Sequence, residues 1–329
     1  MNTSAGCQLN AAGYFERAGA RVVPVGVNYW PASCGVEMWK RWPERELQHD
    51  LDLLVRLGLN SVRCFLFWPD FEPELGRYEP AMFFRLGQYL GWCRQRGLLV
   101  QPTLFVGFMS GGQFWPIGKG QRNLFADPGM VESCVQFARK AAQVMASYHD
   151  VLLGIDLGNE LICIQDSADA GPQAVEHWCR RVCDAIRSVY PSAMVVSGLD
   201  NNQVIADRGW HLGHQPGTDY YSMHGYPVPA WQPVQFDGLT DPLAHGLLPF
   251  YVRCARAFGP VLLQEFGTIV TGGPTQQRSY LEGMLERSWQ AGANGLLWWC
   301  MRDIPARITP YATGCFEGTL GLVDAQDRV

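Results

Sequence analysis

The sequence has 329 residues, 47% hydrophobic and 17% charged, so it is long enough to bury a sizeable core and too apolar for a disordered or fibrous chain. With 26 Lys and Arg against 31 Asp and Glu, the net charge of −5 gives no basic footprint for a phosphate backbone, and nucleic acid is not an expected partner. Apolar runs such as 295–301 fall far short of the roughly 20 residues of a membrane helix, so no membrane contact is expected.

Residues 22–29 read as a first strand. The helix predicted over 44–57 puts Leu47, Leu51, Leu54 and Val55 at helical spacing, with Gly58 as its stop signal. Strands over 61–67, 98–106 and 151–157 alternate with helices over 81–96, 130–148 and 174–189. The fifth strand, 194–199, leads into Asp200, Asn201, Asn202 and Gly209, a poor helix former that predicts a short or distorted fifth unit. Strands over 220–225 and 261–265 precede helices over 242–258 and 274–291. The last strand, 295–300, runs into a tail with Pro305, Pro310, Gly314, Gly318 and Gly321, and no eighth helix is evident. Near-continuous apolar strands separated by helices imply a parallel sheet buried on both faces. Eight such units predict a (β/α)8 TIM barrel, a single domain over residues 1–329. No glycine-rich phosphate loop follows the first strand, which argues against a doubly wound nucleotide-binding sheet.

In a barrel of this kind the chemistry sits at the carboxyl ends of the strands. Two acids stand there: Glu160 closes the fourth strand and Glu265 the seventh, on opposite sides of the mouth. Paired carboxyls suit glycoside hydrolysis, with a separation of about 5–5.5 Å for retention and about 6.5–9.5 Å for inversion.

Segment 153–160, ending in Asn159-Glu160, resembles the signature of the cellulase and β-mannanase family, glycoside hydrolase family 5 of clan A. The order of motifs extends the likeness over most of the chain: Asn28-Tyr29-Trp30, Arg63, Asn159-Glu160, His224-Gly225-Tyr226, Glu265 and Trp298-Trp299. The resemblance implies a retaining double displacement with Glu160 as general acid/base and Glu265 as nucleophile. It further implies that Arg63 keeps Glu265 ionised, that Tyr226 donates to the same carboxylate, and that Asn159 reaches the sugar 2-hydroxyl. His224 would line the same subsite, and Trp299, or Trp298 if the strand phase shifts by one, would lie beneath the sugar ring. The chain departs from the family at Leu161, where proline is usual, and in strand three, which ends without histidine. Neither departure touches the two carboxylates.

Further aromatics fall in loops on the mouth side: Trp30, Trp39 and Trp42, Trp68 and Phe71, Phe114 and Trp115, and Trp231. Their faces suit sugar rings, and Trp30, Trp115 and Trp231 are candidates for further subsites. His177, Cys179 and Cys183 do not share a helix face, and His211 and His214 lack companions, so no metal is expected. Ser197 and Ser222 lack the nucleophile-elbow context. Residues 1–10 have neither the basic nor the apolar region of a secretory signal, and eleven irregularly spaced cysteines point to free thiols in a reducing cytoplasm. The expected activity is a cofactor-free retaining β-glycosidase on oligo- or polysaccharides of β-1,4-linked hexose. Mannan or glucomannan is preferred, in the manner of an endo-β-mannanase, on the likeness of Asn28-Tyr29-Trp30 to mannanase-like members. The alternatives are a cellulase, an exo-acting β-glucosidase or β-mannosidase, and, in another class, a non-catalytic carbohydrate-binding barrel.

Overall fold

The computed structural model describes residues 5–206, 209–268, 273–305, 318–324 and 326–327. It opens on an element the sequence did not announce, an antiparallel sheet of β1 (Cys7–Leu9), β2 (Phe15–Arg17) and β3 (Ala20–Arg21). Strands of two or three residues are too short to show a period. The turn between β1 and β2 is made by Asn10, whose Oδ1 accepts from the backbone N–H of Ala12 and of Tyr14.

The eight predicted strands follow in order as β4 (Val25–Asn28), β5 (Ser61–Phe65), β6 (Leu99–Val106), β7 (Ile155–Asn159), β8 (Val195–Gly198), β9 (Tyr221–Gly225), β10 (Val261–Phe266) and β11 (Ala293–Trp298). All neighbouring pairs are parallel, in the order β8-β7-β6-β5-β4-β11-β10-β9. The ring closes between β8 and β9, where Asp219 N donates to Val195 O (2.8 Å), His224 N donates to Leu199 O (3.2 Å), and Asp200 bridges His224. The fold is a (β/α)8 barrel. The fourth strand lies later than the sequence suggested because His149–Val151 form a 3-10 turn, so β7 runs to Asn159 and delivers Glu160 to the rim.

The helices outside the ring are α1 (Met38–Arg41), α2 (Glu44–Arg56), α3 (Trp68–Phe71), α4 (Pro80–Arg96), α5 (Pro128–Ala146), α6 (Gln165–Val189), α7 (Asn202–Ile205), α8 (Pro242–Arg256) and α9 (Pro274–Gln290). Proline at the first helical position and an acidic cap fix the starts of α4, α5 and α8, where Glu79, Asp127 and Asp241 accept from backbone N–H groups of the first turn. The helix of the fifth unit, α7, is four residues long, as the sequence predicted. Helix α6 starts nine residues before its predicted start and bends where Gly171 (φ 73°) precedes Pro172. Among the described residues after β11 there is no helix; Pro310 and Gly314 of the predicted tail lie outside the described residues. Instead residues 299–305 lie along 318–324, with Cys300 N donating to Leu320 O and Leu322 N to Cys300 O. Arg302 anchors this segment through Asp50 (2.6 Å) and Asp327 (2.6 Å).

Two cores result. Helices and strand exteriors bury the larger one, while the sheet of β1 to β3 covers the amino end of the barrel. There Cys7 and Phe15 pack with Leu99, Leu153, Val196, Tyr220 and Leu262, which lie at or near the strand starts, and with Leu297 of β11. Between this plug and the mouth the barrel interior is polar: Arg63, Gln101, Thr103, Asp156 and Gln264 are all fully buried. Gly198 leaves room for this network, since a Cβ there would lie 2.7 Å from Asp156 Oδ2 and 2.8 Å from Arg63 Nη2.

Candidate active site

Glu160 follows β7 in a left-handed backbone conformation (φ 48°, ψ 42°) that disfavours side chains with a Cβ. Its N–H donates to Gly198 O (2.6 Å) and its carbonyl accepts from Cys163 N (2.8 Å), so the strained residue is held from both sides. Glu265 lies within β10, at the level of His224 on β9, and Asp200 bridges His224 from the β8 side. One carboxylate oxygen each from Glu160 and Glu265 and a ring nitrogen of His224 lie within 4.8 Å of one another.

Arg63, fully buried, is the hub beneath them. Its Nη1 donates to Glu265 Oε2 (2.9 Å) and Asn28 Oδ1 (3.0 Å), and its Nη2 to Asp156 Oδ2 (2.7 Å) and Asn159 Oδ1 (2.8 Å). Tyr226 donates its hydroxyl to Glu265 Oε1 (2.6 Å). The nucleophile candidate is therefore held by a cation on one oxygen and a hydroxyl on the other. Asn159 is fixed in turn, its amide donating to Phe108 O (2.6 Å). His224 places Nδ1 3.1 Å from Glu160 Oε1 and Nε2 2.8 Å from Gln264 Oε1.

These surroundings treat the two glutamates differently. Burial pushes Glu160 up to about 7, opposed by the charge of Arg63. Burial also raises Glu265; a protonated His224 would oppose this, Glu160 adds to the rise, and Arg63 and the Tyr226 hydroxyl pull the other way. Burial lowers His224, which favours a neutral ring. Among the described residues, Glu160, His224 and Glu265 are also the grouping close enough to hold a metal ion. Glu265 Oε2 is already taken by Arg63.

The aromatics divide. Trp299 follows β11 and packs edge-on against Trp30 (5.3 Å) and Phe65 (5.8 Å), beside the Arg63 guanidinium that overlies Phe65. Trp298 ends the strand and turns instead to Phe266 (5.2 Å), its indole N–H donating to Leu320 O (2.9 Å). It packs as a wall residue. Trp231 is 53% exposed, on the loop after β9, with its ring 6.1 Å from that of Tyr226. Trp115 is half-buried between Trp68 and Lys119, its indole donating to Gln113. Trp39, Trp68 and Phe71, expected in loops on the mouth side, are fully buried among loop and helix aromatics such as Tyr89, Phe83 and Phe137.

Sequence reasoning passed over Asp156, Gln264 and Asp200. Asp156 binds Arg63 through Nε (3.1 Å) and Nη2 and also accepts from Thr103 (2.7 Å). Gln264 and Glu265 are successive residues that both reach the interior because β10 shifts register between Leu263 and Glu265. Strict alternation would have turned one of them outward. Asp200, an acid just past β8, carried the same strand-end signal as Glu160 and Glu265, but it was read as the start of a weak helix. Burial and then the charge of Glu160 push it up to about 7.

No family model and no curated protein matches the chain. Solved structures do. The exo-β-1,4-mannosidase Op5Man5 from Opitutaceae bacterium strain TAV5 superposes with a TM-score of 0.95 at 54% identity, over 98% of this chain and 60% of that one. The chain thus spans about three-fifths of the length of that relative. A GH5_18 protein from Streptomyces cattleya gives a TM-score of 0.86 at 24% identity, over 94% of this chain and 77% of that one. The glycoside hydrolase family 5 mannosidase from Rhizomucor miehei gives 0.69 at 16% identity, over 96% and 91%. At these lower identities the likeness is one of fold.

Proposed function

We propose that the chain is a family 5-like glycoside hydrolase, an exo-acting β-mannosidase that releases terminal mannose from β-1,4-linked oligosaccharides with retention of configuration. The observation that carries this reading is the pair of carboxylates within 4.8 Å, one held by Arg63 and Tyr226 and the other facing a neutral histidine. Such an approach of one oxygen from each carboxyl suits the roughly 5–5.5 Å of a retaining pair better than the roughly 6.5–9.5 Å of an inverting one. In the first step a Glu265 oxygen bonds to the anomeric carbon, the glycosidic C–O bond breaks, and the Glu160 proton goes to the departing oxygen. In the second, water attacks the glycosyl–Glu265 ester, gives its proton to Glu160 and releases the sugar. Arg63 and Tyr226 keep Glu265 ionised for attack, while burial keeps Glu160 protonated near neutrality. Trp299, packed against Phe65 beside Arg63, is the candidate platform for the ring, and Asn159 the candidate for its 2-hydroxyl.

Exo action is favoured over the endo preference read from Asn28-Tyr29-Trp30. That motif packs inward: Tyr29 is buried and donates to Asp50 Oδ2 (2.9 Å), and Trp30 is buried against Trp299. The loops after β5, β6 and β7 are also tied together, by Leu75 N to Ile117 O (3.0 Å) and by Lys119 to Asp166 (2.9 Å), as befits a site closed on one side. β-1,4-Mannohexaose is expected to give mannose and mannopentaose as the first products, the mannose with retained configuration, and no activity is expected to be lost on treatment with a chelator. Glu265→Ala and Glu160→Ala should each lower turnover of mannobiose by about a hundredfold to ten-thousandfold. Early release of larger fragments from mannan would refute exo action, and wild-type rates in Glu265→Ala would refute the assignment of the nucleophile.

A further inference from the structure

The hydrogen-bond chain beneath His224 has a direction. Asp156 is ion-paired with Arg63 (2.7 Å) and offers its neighbours acceptors. Gln264 Nε2 lies 3.2 Å from Asp156 Oδ2 and 2.8 Å from Gln101 Oε1, and Gln101 uses its own amide N–H on the Tyr220 hydroxyl (2.6 Å). Turning the Gln264 amide over would set its oxygen against the oxygens of both Asp156 and Gln101, in a region where unpaired polar contacts are costly. Gln264 Oε1 therefore faces His224 Nε2 at 2.8 Å, and Nε2 must carry the hydrogen. A neutral ring protonated there has a lone pair on Nδ1, 3.1 Å from Glu160 Oε1. The contact is satisfied when Glu160 holds the proton and donates it.

We propose that Gln264 is a positioning residue for acid/base catalysis: by fixing the hydrogen of His224 on Nε2, it makes Nδ1 the acceptor that holds Glu160 in its protonated form. The inference rests on Glu160 being the acid/base. Once Glu160 has given its proton to the leaving oxygen, its carboxylate faces the Nδ1 lone pair. That opposition favours taking a proton back from the water that attacks the glycosyl–Glu265 bond, which returns the pair to its starting state. The other titratable or charged groups around the pair are Arg63 and Asp156 below, Glu265 with Oε2 3.6 Å from Nδ1, Asp200 beyond β8, Tyr226 beyond β9 and Cys163, whose thiol donates to Asp200. Of these Arg63 favours the ionised form of Glu160.

Gln264→Leu removes the acceptor at Nε2, leaving His224 able to carry its hydrogen on Nδ1 and to donate to ionised Glu160. The alkaline limb of kcat/KM on mannobiose should then move to lower pH by about one unit. A limb that stays in place, or moves up, in a variant with unchanged far-UV dichroism overturns the proposal. The unaltered protein gives a second reading without any variant or turnover. With isotope-labelled histidine nitrogens, His224 should show a protonated Nε2 and a bare Nδ1 below the alkaline limb. A hydrogen on Nδ1, or on both nitrogens, overturns the proposal. An Nε2-protonated His224 in a protein inactive on every β-glycoside would instead refute the glycosidase reading and leave the proton arrangement standing.

Discussion

Glu160 and Glu265 are the same side chain in different surroundings, and the contacts predict how each responds to pH. Tyr226 donates to the ionised form of Glu265, so Tyr226→Phe removes a group that holds that carboxyl down. The acid limb of kcat/KM should move to higher pH, and kcat/KM at the optimum should fall by about tenfold or more. A pH–rate profile checks this, and an unmoved acid limb would show that the hydroxyl has no hold on Glu265, the proposed nucleophile. The convergence of Glu160, Glu265, Arg63, Asn159, His224 and Tyr226 was legible in the sequence, because strand ends in a parallel barrel share one mouth and the motifs came in barrel order. Gln264 was not, since a register shift within a strand leaves no mark in a pattern read by alternation. The burial of Trp39 and Trp68 was not legible for a related reason: a loop aromatic looks the same in sequence whether it faces a cleft or pins a loop to a helix.

At the scale of elements, periodicity succeeded where segments were long. The helices α2, α4, α5, α8 and α9 fall within two residues of expectation at each end. It failed at the plug of β1 to β3, whose strands are too short to carry a pattern, and at the first part of α6, where Gly171-Pro172 reads as a break. The plug nevertheless seals the barrel floor. Phe15 is fully buried, with its ring 5.2 Å edge-on from that of Tyr220. Phe15→Ala should cost about 3–5 kcal/mol of stability, measured by urea unfolding. A loss below about 1 kcal/mol would mean that the sheet merely rests on the barrel.

The whole molecule carries a polar axis where a barrel of this kind usually packs layers of aliphatic side chains. Arg63, Asp156, Gln264 and Gln101 join the floor at Tyr220 to the carboxylates at the mouth, and Glu160 and Asp200 end that axis with values pushed up to about 7. Both folded values lie above the ordinary 4.5 and 3.8, so the folded state holds these protons more tightly than the unfolded chain. Their contribution to stability is full below the ordinary values and is lost as pH rises through about 7. The melting temperature should therefore decline from pH 4 towards pH 8, and Glu160→Gln, which cannot ionise, should melt above the parent at the alkaline end and alongside it at the acid end. Equal melting of the two proteins at alkaline pH would show that ionising Glu160 costs the fold nothing. No helix among the described residues is long and apolar enough to cross a membrane, and the cysteines among them are all free.

The left-handed backbone at Glu160 bears on any attempt to harden this protein. A conformation that costs a residue with a Cβ about 1 kcal/mol or more is one that glycine adopts freely. Heat resistance selected at this position thus runs directly against turnover: the backbone favours a residue with no side chain at the one place where the proposed chemistry requires a proton donor.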